Sequence, residues 1–186
     1  MTAARLGSLA RLLLPLGLAL VMAAGLYVFG TEHVPDYSGT ALFGQTAADT
    51  VSLKSWLATG LLTLAALQLG LALWMYGKLP GAAAGPRTGN VHRAVGIVAL
   101  LVSLPIAYHC AFAYGVETNI DARVAVHSLA GCFLYGAFAA KLLIVRSRRL
   151  PGWTLPLAGG TLVVLVAVLW YSSALWYFND YTLPLL

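Results

Sequence analysis

"RAVGIVALLVSLPIAYHCAFAYGVE", residues 93–117, has no charged side chain between its first and last residues. An α-helix needs about 20 consecutive apolar residues to cross the hydrocarbon core of a bilayer. The stretch is therefore predicted to be a transmembrane helix. It also carries a histidine, His109, at a position that such a helix would hold inside the membrane.

The rest of the chain repeats this pattern. Hydrophobic residues make up 60% of the sequence and charged residues 9%, against about 25% charged residues in a typical soluble domain. Four further stretches are long and apolar enough to span a bilayer: 12–29, 54–78, 123–145 and 153–178. We predict an all-α integral membrane helix bundle with five transmembrane helices.

These spans organise the whole chain. The first apolar run is longer than the core of a secretory signal and no small-residue cleavage site follows it, so we interpret it as a retained anchor. The predicted organisation has four parts: an N-terminal anchor helix (1–30), an extracytoplasmic loop (31–53), a four-helix transmembrane core (54–178) and a short outer tail (179–186).

The distribution of charge predicts the orientation. With the N-terminus inside and the C-terminus outside, all six acidic residues fall outside, and most basic residues fall on the cytoplasmic side, as the positive-inside rule requires. The cytoplasmic basic residues are Arg5, Arg11, Lys78, Arg87, Arg93, Lys141, Arg146, Arg148 and Arg149. We therefore expect a multi-pass protein of a plasma membrane, with the lipid bilayer as its partner and no nucleic-acid partner despite the net charge of +5.

Two histidines lie at matched depth. At about 1.5 Å per helical residue, His109 lies roughly 12 Å from Glu117, and His127 lies roughly 9 Å from Asp121. Because the two helices run in opposite directions, both imidazoles are predicted in the outer half of the membrane. His92 is predicted at the cytoplasmic mouth of the third span.

An ionisable residue within a membrane is costly to bury and indicates a functional site by default. Two imidazoles on facing helices suit axial ligation of one haem iron, and bundle cores commonly hold such cofactors. His109 and His127 are the predicted metal ligands. Around the haem, Gly131 would leave room for a flat ring, Arg123 would meet a propionate, and His92 would support the site from the inner mouth.

Each of these residues has a plainer interpretation. His109 and His127 could hydrogen-bond across helices, and Gly131 is equally expected in close helix packing. Arg123 could be an interfacial cation near Asp121. His92 could be an interfacial polar residue rather than a quinone or propionate contact.

Two segments carry a family resemblance: "GNVHRAVGIVALLVSLPIAYHC" (89–110) and "DARVAVHSLAGCFLYGAFAAKLLIVRSRRLPGW" (121–153). They resemble a group of small actinobacterial membrane proteins of unknown function. In size, helix number and the placement of histidines, they also resemble the cytochrome b561-like and ferric-reductase-like b-type cytochromes. This resemblance implies haem b and electron transfer, with an iron–sulfur protein, another cytochrome or quinone as redox partner. His109 and His127 carry over as ligands.

The leading functional hypothesis is a cytochrome subunit with a single bis-histidine haem near the outer leaflet. It would carry electrons between a membrane donor such as quinol and an outer redox partner, as an electron-transfer subunit rather than a stand-alone enzyme. The alternatives are a cofactor-free structural or assembly subunit and a proton- or metal-linked transporter. A homo-oligomer, in which histidines of two subunits would lie together, is a further alternative that the sequence leaves open.

Overall fold

The structure is a computed structural model and describes residues 3–34, 42–81, 83–147 and 150–183, with side chains from residue 11 onward. It contains five long helices, and the prediction of an all-α bundle with five membrane-length helices is confirmed. The helices are α1 (Ala3–Glu32), α2 (Ala47–Met75), α3 (Thr88–His109), α4 (Ala122–Arg146) and α5 (Thr154–Trp170).

Two of the helices continue through a π-helical segment. α3 continues through Cys110–Tyr114, directly after His109, and α5 continues through Tyr171–Leu175 and a last turn at Trp176–Phe178. Single π-helical turns within longer helices are frequent at functional sites. Both of these segments lie at the same end of the bundle as the two central histidines.

The two ends of the bundle differ in charge. One end, here called the acidic end, carries carboxylates at the helix termini, and the opposite end, the basic end, carries Lys and Arg side chains. The carboxylates of the acidic end are Glu32, Asp49, Glu117, Asp121 and Asp180. The cations of the basic end are Arg11, Lys78, Arg87, Arg93, Lys141 and Arg146.

The boundary predicted for the second helix is wrong. α2 begins at Ala47, so Lys54 lies two turns inside the helix rather than at its end. The reason is a local cap, because the Thr46 hydroxyl accepts a hydrogen bond from the Asp49 amide at 3.2 Å. The segment between α1 and α2 is therefore shorter than the predicted loop 31–53, because α1 extends to Glu32 and α2 begins at Ala47. Residues 35–41 of this loop and residues 184–186 of the predicted tail lie outside the described residues.

The helices form a ring around a central space. α4 packs against α1 and α5, and α2 packs against α5 and α3, whereas α3 and α4 do not pack extensively on each other. At the acidic end the ring closes between α1 and α3: the Val116 amide donates to the Gly30 carbonyl at 3.0 Å, and His33 contacts the Phe112 carbonyl at 2.5 Å. α1, the predicted N-terminal anchor helix, packs against α4 as a member of the bundle.

Small residues form the buried contacts of this ring, and large apolar residues face outward. The fully buried apolar residues are mostly alanines, whereas many leucines, valines and aromatic residues are exposed. This distribution is typical of membrane bundles, in which small residues allow helices to approach closely and lipid covers the outer surface. The chain is a multi-pass helical membrane protein.

Gly136 marks the closest helix contact. A Cβ atom at Gly136 would collide with the backbone carbonyl oxygen of Ala19, which cannot move without shifting α1. We expect Gly136→Val to lower the free energy of unfolding in detergent by about 2 kcal/mol or more, since overpacking against backbone is not relieved by a rotamer change. Gly60→Val is the matched control, because a Cβ at Gly60 meets nothing within 4 Å. Equal stability of the two variants would contradict the α1–α4 contact.

The orientation in the membrane stays a prediction from the charges of the two ends. We expect Lys78→Cys to be protected from a membrane-impermeant maleimide in intact cells and Asp180→Cys to be labelled, because the positive-inside rule places the basic end in the cytoplasm. The parent chain, with Cys110 and Cys132 only, measures background labelling. The reverse labelling pattern would invert the topology.

Candidate functional site: a polar layer beside a cavity

Four polar side chains from four helices lie at nearly the same depth. Lys54, His109, His127 and Ser172 are each roughly 8–10 Å from the acidic end of their helices at 1.5 Å per residue. We call this set the acidic-end layer. Its depth agrees with the predicted level of the two histidines, and it contains two residues that the sequence analysis did not assign to the site.

A cavity of about 160 Å³ lies beside this layer, between α3 and α4. From α4 it is lined by His127, Ser128 and Gly131, and from α3 by Ile106 and Cys110. The remaining lining comes from all five helices and is mostly apolar, with Ser103, Tyr135 and Ser173 as further polar residues. His109 and Arg123, both predicted at the site, do not line the cavity.

The hydrogen bonds of Ser172 fix the orientation of His127. Ser172 is fully buried, and its hydroxyl donates to the Val168 carbonyl at 2.7 Å. Its single proton is thereby used, so the His127 Nδ1, at 3.0 Å from the same hydroxyl oxygen, is assigned as the donor. In the neutral ring the lone pair then lies on Nε2. This is the tautomer that a metal-bound histidine adopts.

Arg123 lies toward the acidic end from His127 and points away from the cavity. Its guanidinium donates to the Ser172 carbonyl at 3.0 Å, lies 4.0 Å from the Asp121 carboxylate and stacks on the Trp176 ring at 3.9 Å from the centroid. Arg123 therefore lies near Asp121, as its plainer interpretation expects. Its contact with Ser172 also links it to the partner of His127.

His109 belongs to a cluster on the other side of the layer. Its Nδ1 lies 3.2 Å from the Lys54 Nζ, which also lies 3.9 Å from the Cys110 sulfur and 4.2 Å from the centroid of the Tyr114 ring. The His109 and Tyr114 rings meet edge to face with centroids 5.1 Å apart. A charged Lys54 can only donate, which would leave the His109 proton on Nε2.

Lys54 is the functional candidate that sequence reasoning missed. The predicted second span begins at Lys54, because a lysine normally ends an apolar run. The available signal was the capping sequence Thr46–Asp49, which starts the helix two turns earlier and places Lys54 within it. Among the described residues no carboxylate pairs with Lys54; the ion pair found there joins Arg123 and Asp121.

The predicted glycine and the fourth histidine lie in different places. Gly131 lines the cavity, and a Cβ atom added there would point into space with only the Leu169 side chain nearby, at 3.9 Å. His92 lies near the basic end, where its carbonyl accepts a hydrogen bond from the Gln68 amide. The structure therefore assembles His127 with Gly131 at the cavity, His109 beside it and His92 away from it.

No group of three or more His, Cys, Asp or Glu side chains suited to a metal ion occurs within the described residues.

Fold and site together define a multi-pass helical membrane protein with an intramembrane histidine at a cavity. The chain belongs to the family of unknown function DUF6529, whose sequence profile matches residues 12–185. Neither a curated protein nor a solved structure matches the chain.

The cost of burying Lys54 can be measured. We expect Lys54→Met to raise the free energy of unfolding by about 1–2 kcal/mol, because the several kcal/mol cost of desolvating a cation exceeds the roughly 1–3 kcal/mol cost of leaving the His109 nitrogen without this partner. Thermal unfolding in detergent tests this, with Lys78→Met as control because Lys78 is exposed. A less stable Lys54→Met protein would show that the Lys54–His109 bond stabilises the fold.

Proposed function

We propose that this protein is a membrane electron-transfer subunit that would hold one haem b at the acidic-end layer through His127 and His109. The observation that carries the proposal is the bond from His127 to Ser172, which leaves the Nε2 lone pair for a metal at a cavity wall. The proposal follows the resemblance of the two histidine-bearing segments to b-type cytochromes.

The residues around the cavity fit a haem in their chemistry. α3 and α4 lie on opposite sides of the cavity instead of packing extensively together, so a ring would have fewer contacts to displace there than between packed helices. The missing side chain of Gly131 leaves room beside His127, and the walls are apolar. When bound, the haem would supply a one-electron redox centre.

The size of the cavity sets a requirement. About 160 Å³ matches one small ring, since a cavity of about 150 Å³ holds benzene, and ligand sites for larger molecules run from about 300 Å³ upward. Haem binding therefore requires α3 and α4 to move apart. The limited packing between these two helices makes that movement less costly than separating any of the packed pairs.

The second ligand carries a further condition. His109 can offer a lone pair on Nε2 only when Nδ1 is the donor, which requires Lys54 to be neutral or to withdraw. Lys54 would then accept from Nδ1 and hold the ring in place, as the partners of metal-bound histidines do. Arg123 would act through Ser172, whose carbonyl it binds, and would position His127 rather than a propionate.

The depth of the acidic-end layer indicates from which face of the membrane a redox partner would reach the haem. A redox centre roughly 8–10 Å from the acidic end is within reach of a partner docked on that face, which the charge rule places outside the bacterial plasma membrane. The partners proposed are an iron–sulfur protein or a cytochrome on the outside and a membrane quinol as donor. The Lys54–His109 cluster favours a second candidate, a proton-linked transporter, because intramembrane cations mark proton pathways.

Optical spectra of the purified protein test the proposal. We expect wild type, expressed with its native partner proteins, to show the sharp Soret and α bands of a reduced low-spin haem. His127→Ala should abolish haem binding, because it removes the ligand already oriented by Ser172. His109→Ala should keep haem in a high-spin form or lose it, because one axial position opens.

Two other histidines serve as comparisons. His33→Ala is the matched control, since His33 lies at the same end of the bundle and does not line the cavity; it should keep the wild-type spectrum. His92→Ala should also retain haem, because His92 lies near the other end. If wild type contains no haem, the cytochrome proposal fails, and proton uptake by proteoliposomes then separates the transporter from a structural subunit.

A further inference from the structure

A second cavity lies toward the basic end and has no role in the haem proposal. It measures about 110 Å³ and lies between α2, α3, α4 and α5. Its walls are mainly apolar, with Leu61, Leu100, Phe138 and Leu162 among them. The polar side chains that reach it are Gln68, Ser103, Tyr135 and Lys141.

Lys141 is the unusual member of this lining. It lies about 8 Å before the end of α4 at Arg146, inside a helix of membrane length. The carboxylates of the described residues lie at the opposite end of the bundle, and none forms an ion pair with Lys141. Lys141 thus brings up to three hydrogen-bond donors to a cavity without an acidic partner.

The other polar groups of the cavity are already arranged by the protein. The Tyr135 hydroxyl lies 3.1 Å from the Ser103 hydroxyl and 3.2 Å from its carbonyl, and it bridges α4 to α3 at the border between the two cavities. The Gln68 amide donates to the His92 carbonyl. Of the polar side chains that line the cavity, Lys141 is the one without a hydrogen bond among the described residues. The Nδ1 of His92, a residue that does not line the cavity, is also without a hydrogen-bond partner there.

Size limits how much of a ligand this cavity encloses. At about 110 Å³ it is smaller than the roughly 150 Å³ that holds benzene, so a substituted ring would enter only in part, through the open side of the cavity, unless the lining side chains shift. At Gly96 no side chain intrudes, and a Cβ there would approach the Gln68 amide to 3.4 Å. A phosphate group would need several donors and would leave most of the apolar wall unused. A ring with carbonyl oxygens uses both the apolar wall and the lysine.

We propose that this basic-end cavity binds the head group of a membrane quinone, with the Lys141 ammonium donating to one ring carbonyl. The inference deepens the proposed function, since it gives the quinol donor of that function a site. It does not depend on haem for its test, because binding is measured without turnover. The long apolar tail of a quinone would lie in the lipid that surrounds the bundle.

Binding of decylubiquinone to the purified protein in detergent tests the proposal. We expect Lys141→Met to weaken binding by about tenfold or more, because a hydrogen bond from a charged donor is lost in an apolar site. Lys141→Arg should restore part of the affinity. Lys78→Met, which removes an exposed lysine near the same end, should bind as wild type does. Equal affinity of wild type and Lys141→Met, or no binding by wild type, would overturn the proposal.

A measurement on the unaltered chain covers the case in which Lys141→Met does not fold. A photoreactive azidoquinone should label peptides around Phe138 and Gly96, and unlabelled decylubiquinone should compete. Labelling at the acidic-end cavity instead, or competition by phosphatidylglycerol alone, would overturn the assignment. The haem-free His127→Ala variant should still be labelled, so failure of the haem proposal and failure of the quinone proposal give different results.

Discussion

A polar side chain inside the hydrocarbon has no water to bond with, so its partners must come from the protein itself, and the bundle is arranged around this constraint. The bond from His127 to Ser172 is the clearest case, because it joins α4 to α5 where Ser172 is fully buried. The backbone carbonyl of Ser172 also accepts a hydrogen bond from the Arg123 guanidinium. One buried residue thus sets the ring orientation of the histidine and the position of the neighbouring cation.

The polar groups of the bundle lie mainly at two levels. Near the acidic end, Lys54 and His109 pair beside the His127 site, and near the basic end, Gln68 and Lys141 reach a second cavity. The Tyr135–Ser103 bridge lies between the two levels. Because Ser103 and Tyr135 line both cavities, the two cavities adjoin each other at this bridge.

Much of the fold could be predicted from the sequence, because span length and charge asymmetry are local properties. The five helices and the depth of His109 and His127 follow from counting residues between charges. The start of α2 could not be predicted that way, since it depends on the Thr46 cap rather than on hydropathy. For the same reason Lys54 was assigned to the membrane surface, although it contacts His109.

The sequence by itself therefore determined that the chain is a five-helix membrane bundle and that two histidines share one level. Only the tertiary structure decided which helices are neighbours, because the packing of small residues around α1 and α4 acts between segments far apart in sequence. That packing separates α3 from α4 and opens the cavity between them. It also decides that His127 meets Ser172 and that His109 meets Lys54, and these partners determine which nitrogen of each ring carries the proton.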